Sequence, residues 1–257
     1  MSKNYCSRKD FSIVPLHGYL RHFSEYDGFL DDDFSGLVID RTRFYNVEIP
    51  NFLFNGTLLD DVHFYRSNLS NVKFIGCQFL GTNFTNSILI ESDLTGVYSP
   101  GEYFEHVDFT KATMVSGNYK GARFRNCKFD DASLIGSDFS EAIFEKCSFI
   151  NTRIKGVKLE KTKFLNCDLT SSDLSGSTIQ ESEFIECNLE IVNFSGCEMR
   201  KSTIIKGNLK NAIFHGTVIN ELDLTGCQKI SDSFYFENCN YSIIYGFEDG
   251  YDPDFDS

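Results

Sequence analysis

Residues 132–149 read Ala-Ser-Leu-Ile-Gly-Ser-Asp-Phe-Ser-Glu-Ala-Ile-Phe-Glu-Lys-Cys-Ser-Phe. Leu134, Phe139, Phe144 and Phe149 recur at every fifth residue, and Ala132, Ser137, Ala142 and Cys147 precede them by two. A small, a polar and a large residue in succession describe a three-residue strand, because neighbouring side chains point to opposite faces: small in, polar out, large in. The two residues left in each pentad are often polar, with Gly frequently second, and supply a corner. A helix needs apolar spacing near 3.6 and an ordinary strand needs longer alternation, so neither accounts for a period of five.

Outward from this stretch the register runs without insertion from Phe34 to Leu224. Of its 39 positions all but Ser99 are apolar, and they hold 18 of the 26 Phe. A second period of twenty lies on the first. Phe44, Phe64, Phe84, Phe104, Phe124, Phe144, Phe164 and Phe184 follow it without a break, as does a line of Gly from Gly36 to Gly216 interrupted by Ser116. Four corners therefore return the chain to the same side, one coil per twenty residues, with the eight Phe as the structural core. Glu141, Lys161, Glu181, Lys201 and Glu221 alternate in sign at the same interval, as do Glu105, Arg125 and Glu145. Stacked strands favour that alternation, since like charges directly opposite repel.

Segments such as Ser92-Asp93-Leu94-Thr95-Gly96, Ser172-Asp173-Leu174-Ser175-Gly176 and Ser137-Asp138-Phe139 resemble the pentapeptide-repeat family, whose motif is Ala-(Asp/Asn)-Leu-X-X. The resemblance covers residues 29–227. It implies an all-β fold, a right-handed quadrilateral parallel β-helix of about ten coils, with the interior filled by Phe and Leu.

The ends fall outside the repeat. For residues 1–28, Leu16, Tyr19, Leu20 and Phe23 are spaced for one helical face between Pro15 and Gly28, which reads as a short capping helix over the first coil. A tail packed irregularly on the rod is the alternative. Residues 228–257 begin with an aromatic stretch in which Phe234 and Ile244 still fit the register while Lys229 does not. This segment reads as a C-terminal cap or, as in dimeric family members, a homodimerisation surface. The five acids after Phe247 read as a disordered tail. Within the repeat, residues 97–103 combine the polar anchor Ser99 with Pro100 and an inward Glu102. They read either as a locally bulged coil or as a recognition bump displaying Tyr98, Glu102 and Tyr103.

Composition limits the chemistry. The 257 residues include 24 basic and 37 acidic side chains, a net charge of −13, which disfavours direct nucleic-acid binding. No stretch reaches the roughly 18 apolar residues of a membrane span, so no membrane role is expected. The absence of a signal-like start, together with nine cysteines in no compact pattern, fits a cytoplasmic protein. Seven of those cysteines occupy the small inward position, which makes them core filling. The histidines do not converge, and the glycines mark corners instead of a phosphate loop. No catalytic residue, metal site or cofactor is therefore expected, and the chain is read as a non-enzyme.

What remains is surface recognition by a protein partner. The quinolone-resistance members of the family are rod-shaped dimers that bind DNA gyrase and topoisomerase IV, partly through acidic faces that imitate DNA. The resemblance thus implies a DNA-mimicking binder of a type II topoisomerase that protects against topoisomerase poisons. Two departures weigh against it. The chain lacks the register-breaking loops of several of those proteins, and residues 34–230 carry 24 acids against 20 bases. The alternative is an interaction scaffold or delivered effector using the outward stripe Leu165, Ile185 and Ile205, near Ile143 and Ile213. That stripe also reads as a plain β-branched ladder stabilising stacked strands.

Overall fold

A computed structural model describes residues 18–21, 33–227, 239–241 and 244–246. Among these residues every regular element is a strand, and within residues 33–227 neighbours in the stack pair in parallel at an offset of twenty, as in Phe44↔Phe64, Phe124↔Phe144 and Phe164↔Phe184. Residues 33–227 make nine complete turns and most of a tenth. The chain turns four corners per coil. The first face carries the anchors in line with Phe34, the second those with Ile39, the third those with Phe44 and the fourth those with Ile49.

Each corner is made by the residue two after an anchor, which adopts the left-handed conformation. Twenty-six non-glycine residues do so, from Arg41 at φ 47° to Asn51 at φ 67°. Such residues ordinarily cost about 1–2 kcal/mol apiece. Here the corner is offset by the ladder, since its N–H reaches the coil above (Asn51 N to Ser70 O, 2.9 Å; Lys161 N to Gln180 O, 2.8 Å).

The inside is packed with buried aromatic rings. The third-face Phe rings stack with centroids 4.6 Å apart for Phe44–Phe64 and 4.9 Å apart for Phe124–Phe144 and Phe144–Phe164. The small inward residue does more than leave room. At most such positions the hydroxyl or thiol donates to the anchor carbonyl 23 residues earlier, as in Thr57 to Phe34 O at 2.7 Å, Thr152 to Phe129 O at 2.8 Å and Cys127 to Phe104 O at 3.4 Å, while Ser92 turns instead to Leu89 O. This is why Ser, Thr and Cys share that position with Ala: a buried polar group is tolerated once paired.

Two expectations about the ends change. Gly18–Arg21 is a strand paired in parallel with Thr42–Tyr45, so the expected helix is absent at Tyr19 and Leu20. The exposed edge of the first complete coil offers unpaired backbone groups, and added strand satisfies them where a helix could not. The rest of residues 1–28 lies outside the described residues. At the other end Asn240–Tyr241 pairs with Val218–Ile219 and Ile244–Tyr245 with Leu222–Asp223, an offset of 22. Ile244 thus stacks on the small-position column of Leu222 and not on the anchor Leu224, because two residues are inserted before it. Phe234 and the acidic stretch after Gly246 lie outside the described residues, and with them the choice between cap and dimer surface.

The turn at residues 97–103 is regular. Gln78, Tyr98 and Asn118 pair in sequence, and Phe84↔Phe104 keeps the register, so the expected bulge does not form. Ser99 leaves a gap that Tyr119, one coil on, fills: its ring is fully buried and stacks on Phe139 at 4.9 Å. Gly117 makes space for it, since a Cβ there would lie 2.4 Å from the Tyr119 ring.

Candidate functional site

Among the described residues the interior is filled, which leaves the four outer faces for a site, and the repeat dictates which residues reach them. Each face shows two outward columns, one residue before and one after the anchor, plus the corner column that follows. In the first column Asp and Asn recur for a local reason. Their side-chain oxygen accepts the N–H two residues on: Asp93 from Thr95 (3.1 Å), Asp108 from Thr110 (2.9 Å), Asp138 from Ser140 (2.9 Å), Asp168 from Thr170 (3.0 Å). For Asp173, burial works against ionisation, but the neighbouring Ser175, whose N–H donates at 3.0 Å, and Lys155 outweigh it and hold the carboxyl below its usual range. Much of the acidity therefore closes strand ends.

Charges sort unevenly among the faces. Each face is counted here with the corner column that follows it. From residue 48 to 191 the fourth carries seven acids (Glu48, Glu91, Asp108, Asp130, Asp131, Asp168, Glu190) against Lys111 and Lys128, both of them ion-paired. From residue 43 to 166 the third is the reverse, with Arg43, Arg66, Arg123, Arg125, Lys146 and Lys163 against Glu105 and Glu145, before Glu183 and Glu186 turn the next coil acidic. Ladder pairs one coil apart temper both, including Lys163–Glu183 at 2.9 Å, Arg125–Glu105 at 3.6 Å and Lys210–Glu190 at 3.0 Å.

The named candidates do not converge. Leu165, Ile185 and Ile205 stack directly on one another on the third face but are half-buried. Ile143 shares that face. Ile213 is on the first face, pairing with Asn193, so it is not part of the stripe. Tyr98 is exposed on the second face, and Tyr103 is half-buried on the third. Glu102 points inward, where it accepts the Gly81 N–H at 2.7 Å. Burial pushes its carboxyl above the usual range, partly countered by the Gly81 and Thr82 backbone. These three residues form no common patch.

Apolar exposure lies elsewhere. Of nine large hydrophobic side chains exposed among the described residues, seven are on the first and second faces: Ile75, Ile135, Ile213, Val38, Leu80, Tyr98 and Val218. Nothing in the pentad rule marks these positions, since outward residues are unconstrained by it. A second missed group is on the third face, where Asp61 binds the Arg43 guanidinium at 3.1 Å and His63 at 3.3 Å, and Asn83 meets the His63 ring at 3.1 Å. Burial first, then Arg43, lowers the His63 pKa against the pull of Asp61. The cluster is a coil-to-coil brace.

The cysteines behave as core atoms. Cys77 is pushed up to about 12 by burial, and Cys147 well above its ordinary value by burial first and contact with Cys127 second. Among the described residues no group of three His, Cys, Asp or Glu is placed to hold a metal.

A closed, side-chain-filled solenoid that can act only through its exterior belongs to the class of repeat proteins that present surfaces. The family is given by its pentads: a pentapeptide repeat region model matches residues 122–192 and 137–214, and a pentapeptide repeat model of eight copies matches residues 63–98. The chain belongs to the pentapeptide-repeat family, a family of right-handed four-sided β-helices whose members are generally non-catalytic binding proteins. Among solved structures it is similar to HetL of the cyanobacterium Nostoc sp. strain PCC 7120, a protein involved in heterocyst differentiation regulation. The identity is 16%, over 82% of this chain and 90% of that one, with a TM-score of 0.50. A trypsin-treated variant of QnrB1, a plasmid-mediated fluoroquinolone resistance protein, is 13% identical over 78% and 91%, with a TM-score of 0.48. Rfr23 of the cyanobacterium Cyanothece 51142 is 19% identical over 45% and 89%, with a TM-score of 0.24. No curated protein sequence matches.

Proposed function

We propose that this protein is a cytoplasmic rod that binds a type II topoisomerase as a DNA mimic and protects it against poisons. The observation that supports this reading is the fourth face, where seven acids face two already paired lysines over about seven coils. A topoisomerase cleft built for duplex DNA is lined with cations, and a rod with one negative side enters it with that side foremost. The charge density is modest. Duplex DNA carries a charge per about 1.7 Å of axis, whereas seven acids spread over roughly 34 Å give one per about 5 Å. The expected effect is thus competition at micromolar protein. The test is gyrase supercoiling with added protein, with and without a fluoroquinolone: inhibition, or rescue from drug-stabilised cleavage, supports the reading, and no effect at micromolar protein rejects it.

A second reading, an interaction scaffold for a different protein, is favoured by the seven exposed hydrophobic side chains on the first and second faces. They are spread from Val38 to Val218 and offer separate apolar contact points to a protein partner. A Tyr98→Lys, Ile75→Lys variant distinguishes the two, since it leaves the acidic face intact.

A further inference from the structure

We propose that the chain assembles with further copies of itself side by side, the basic third face of one rod lying on the acidic fourth face of the next, and that four parallel rods close a ring. The argument starts from charge. The third face is basic over residues 43–166 and the fourth acidic over residues 48–191, so the two stretches overlap for seven coils, and in the eighth Glu183 and Glu186 meet the height of Glu190, where like charges coincide. Two rods set parallel and in step bring opposite charges together along seven coils. The overall charge of −13 opposes association at long range, but at physiological salt it is screened beyond about 8 Å, while facing side chains act within that distance. Arg66 and Arg123, both exposed, make no ion pair among the described residues.

Residue type points the same way. Tyr45, Tyr65 and Tyr103 stand among the third-face arginines, with the Arg66 guanidinium 5.1 Å from the centre of the Tyr65 ring. Tyr and Arg are the residues enriched where protein interfaces are energetically strongest. The fourth face answers with Ile88, which is exposed, and with Ile90 and Ile150. Size is sufficient: the third face with its corner offers three outward positions in each of the seven coils where the charges oppose, 21 in all, within the roughly 20–30 residues a side of a standard interface.

Symmetry follows from the cross-section. The contact joins two different patches, so it is heterologous and closes only if the rotation it imposes divides a full circle. Neighbouring faces of a four-sided rod stand a quarter turn apart, so each contact rotates the next copy by about 90° and four copies close. On a single chain the two faces point in different directions and cannot satisfy each other. The proposal does not rest on the topoisomerase reading, although assembly would cover the face that reading uses.

The test is the mass of the full chain in solution by light scattering, at about 100 µM protein and about 0.15 M salt. The expected result is four times 29.3 kDa, falling to the single-chain mass near 1 M salt, where the screening length is about 3 Å. Arg123→Glu with Arg125→Glu disables the third face, and Asp131→Lys with Glu190→Lys disables the fourth; each variant alone is expected to be monomeric. Mixed in equal amounts they should form a one-to-one pair and stop, because each retains one good face. Circular dichroism matched to the parent establishes that both are folded, and if these substitutions disturb the fold, Arg66→Glu and Glu48→Lys on the same two faces replace them. A 29.3 kDa parent under these conditions, an assembly that survives both variants, or variants that fail to pair when mixed would each overturn the proposal.

Discussion

Replacing Gly117 with Ala adds one methyl group at the place where the core departs from its own rule. Gly117 occupies a small inward position normally filled by Ala, Ser, Thr or Cys, and its φ is not in the left-handed region, so Ala meets no backbone penalty there. The obstacle is Tyr119. The new Cβ would lie 2.4 Å from one ring carbon, 3.0 Å from a second and 3.1 Å from the hydroxyl oxygen. The ring is held on several sides, stacked on Phe139 at 4.9 Å and edge-on to Phe124 at 6.3 Å, with its hydroxyl 3.5 Å from Leu94 O. Overpacking of this kind costs about 1–3 kcal/mol. For a chain of this size 1 kcal/mol moves the melting temperature by roughly 2–4 °C, so Gly117→Ala should lower it by roughly 2–12 °C. Tyr119→Leu removes the atoms in conflict. In the double variant the cost of Gly117→Ala should therefore fall to near zero, a coupling of at least about 1 kcal/mol in a double-mutant cycle. Differential scanning calorimetry of the four proteins decides the matter. Melting of Gly117→Ala within about 1 °C of the parent, or simple additivity of the two changes, would refute the reasoning that Ser99, Gly117 and Tyr119 form one compensated unit.

Three further outcomes follow from the same geometry. Phe144→Ala should cost about 3–5 kcal/mol in urea denaturation, because the ring is buried between Phe124 and Phe164 and no neighbour can collapse into its place; a loss below about 1 kcal/mol contradicts the stacked core. Ile191 is a β-branched residue at φ 61° with its side chain exposed, so Ile191→Asn should raise stability by about 1 kcal/mol, and an unchanged or lower denaturation midpoint would show that the side chain is held by something else. The thiols of Cys77 and Cys197 are both raised to about 12 by burial, while unfolded thiols ionise near 8.5. Folded pKa above unfolded means the contribution is complete below about pH 8.5 and is lost as pH rises toward 12. Melting temperature should decline through that window, and Cys77→Ala with Cys197→Ala should shallow the decline relative to the parent; identical slopes would count against it.

The sequence is explicit about the inside of this molecule and almost silent about the outside, for a physical reason. An anchor such as Phe144 must fill the same volume in every coil, so its period survives in the sequence. An outward residue such as Ile75 or Tyr98 meets only water, and no packing rule fixes it. The alternating ladders were legible because stacking couples residues twenty apart, as Lys163–Glu183 does within the third face. The sorting of charge between the third and fourth faces became visible only once columns were assigned to faces. Proximity in numbering misled in two places: Ile213 was grouped with Ile205 though a face lies between them, and Tyr98, Glu102 and Tyr103 were read as one patch though they point three ways. The helical spacing of Tyr19 and Leu20 gave way to backbone pairing with the first coil, a tertiary demand that local periodicity does not record.

The central claim, that function resides in one chosen face of an inert rod, is tested most directly by immobilising a type II topoisomerase and measuring binding of three proteins by interferometry: the parent, Asp131→Lys with Glu190→Lys, and Arg123→Glu with Arg125→Glu. The prediction is micromolar binding by the third-face variant, whose fourth face stays open, binding no tighter by the parent, whose self-assembly competes for that face, and a loss of at least about tenfold, some 1.4 kcal/mol, for the fourth-face variant relative to the third-face one. Equal binding by all three proteins, or by none, would contradict it.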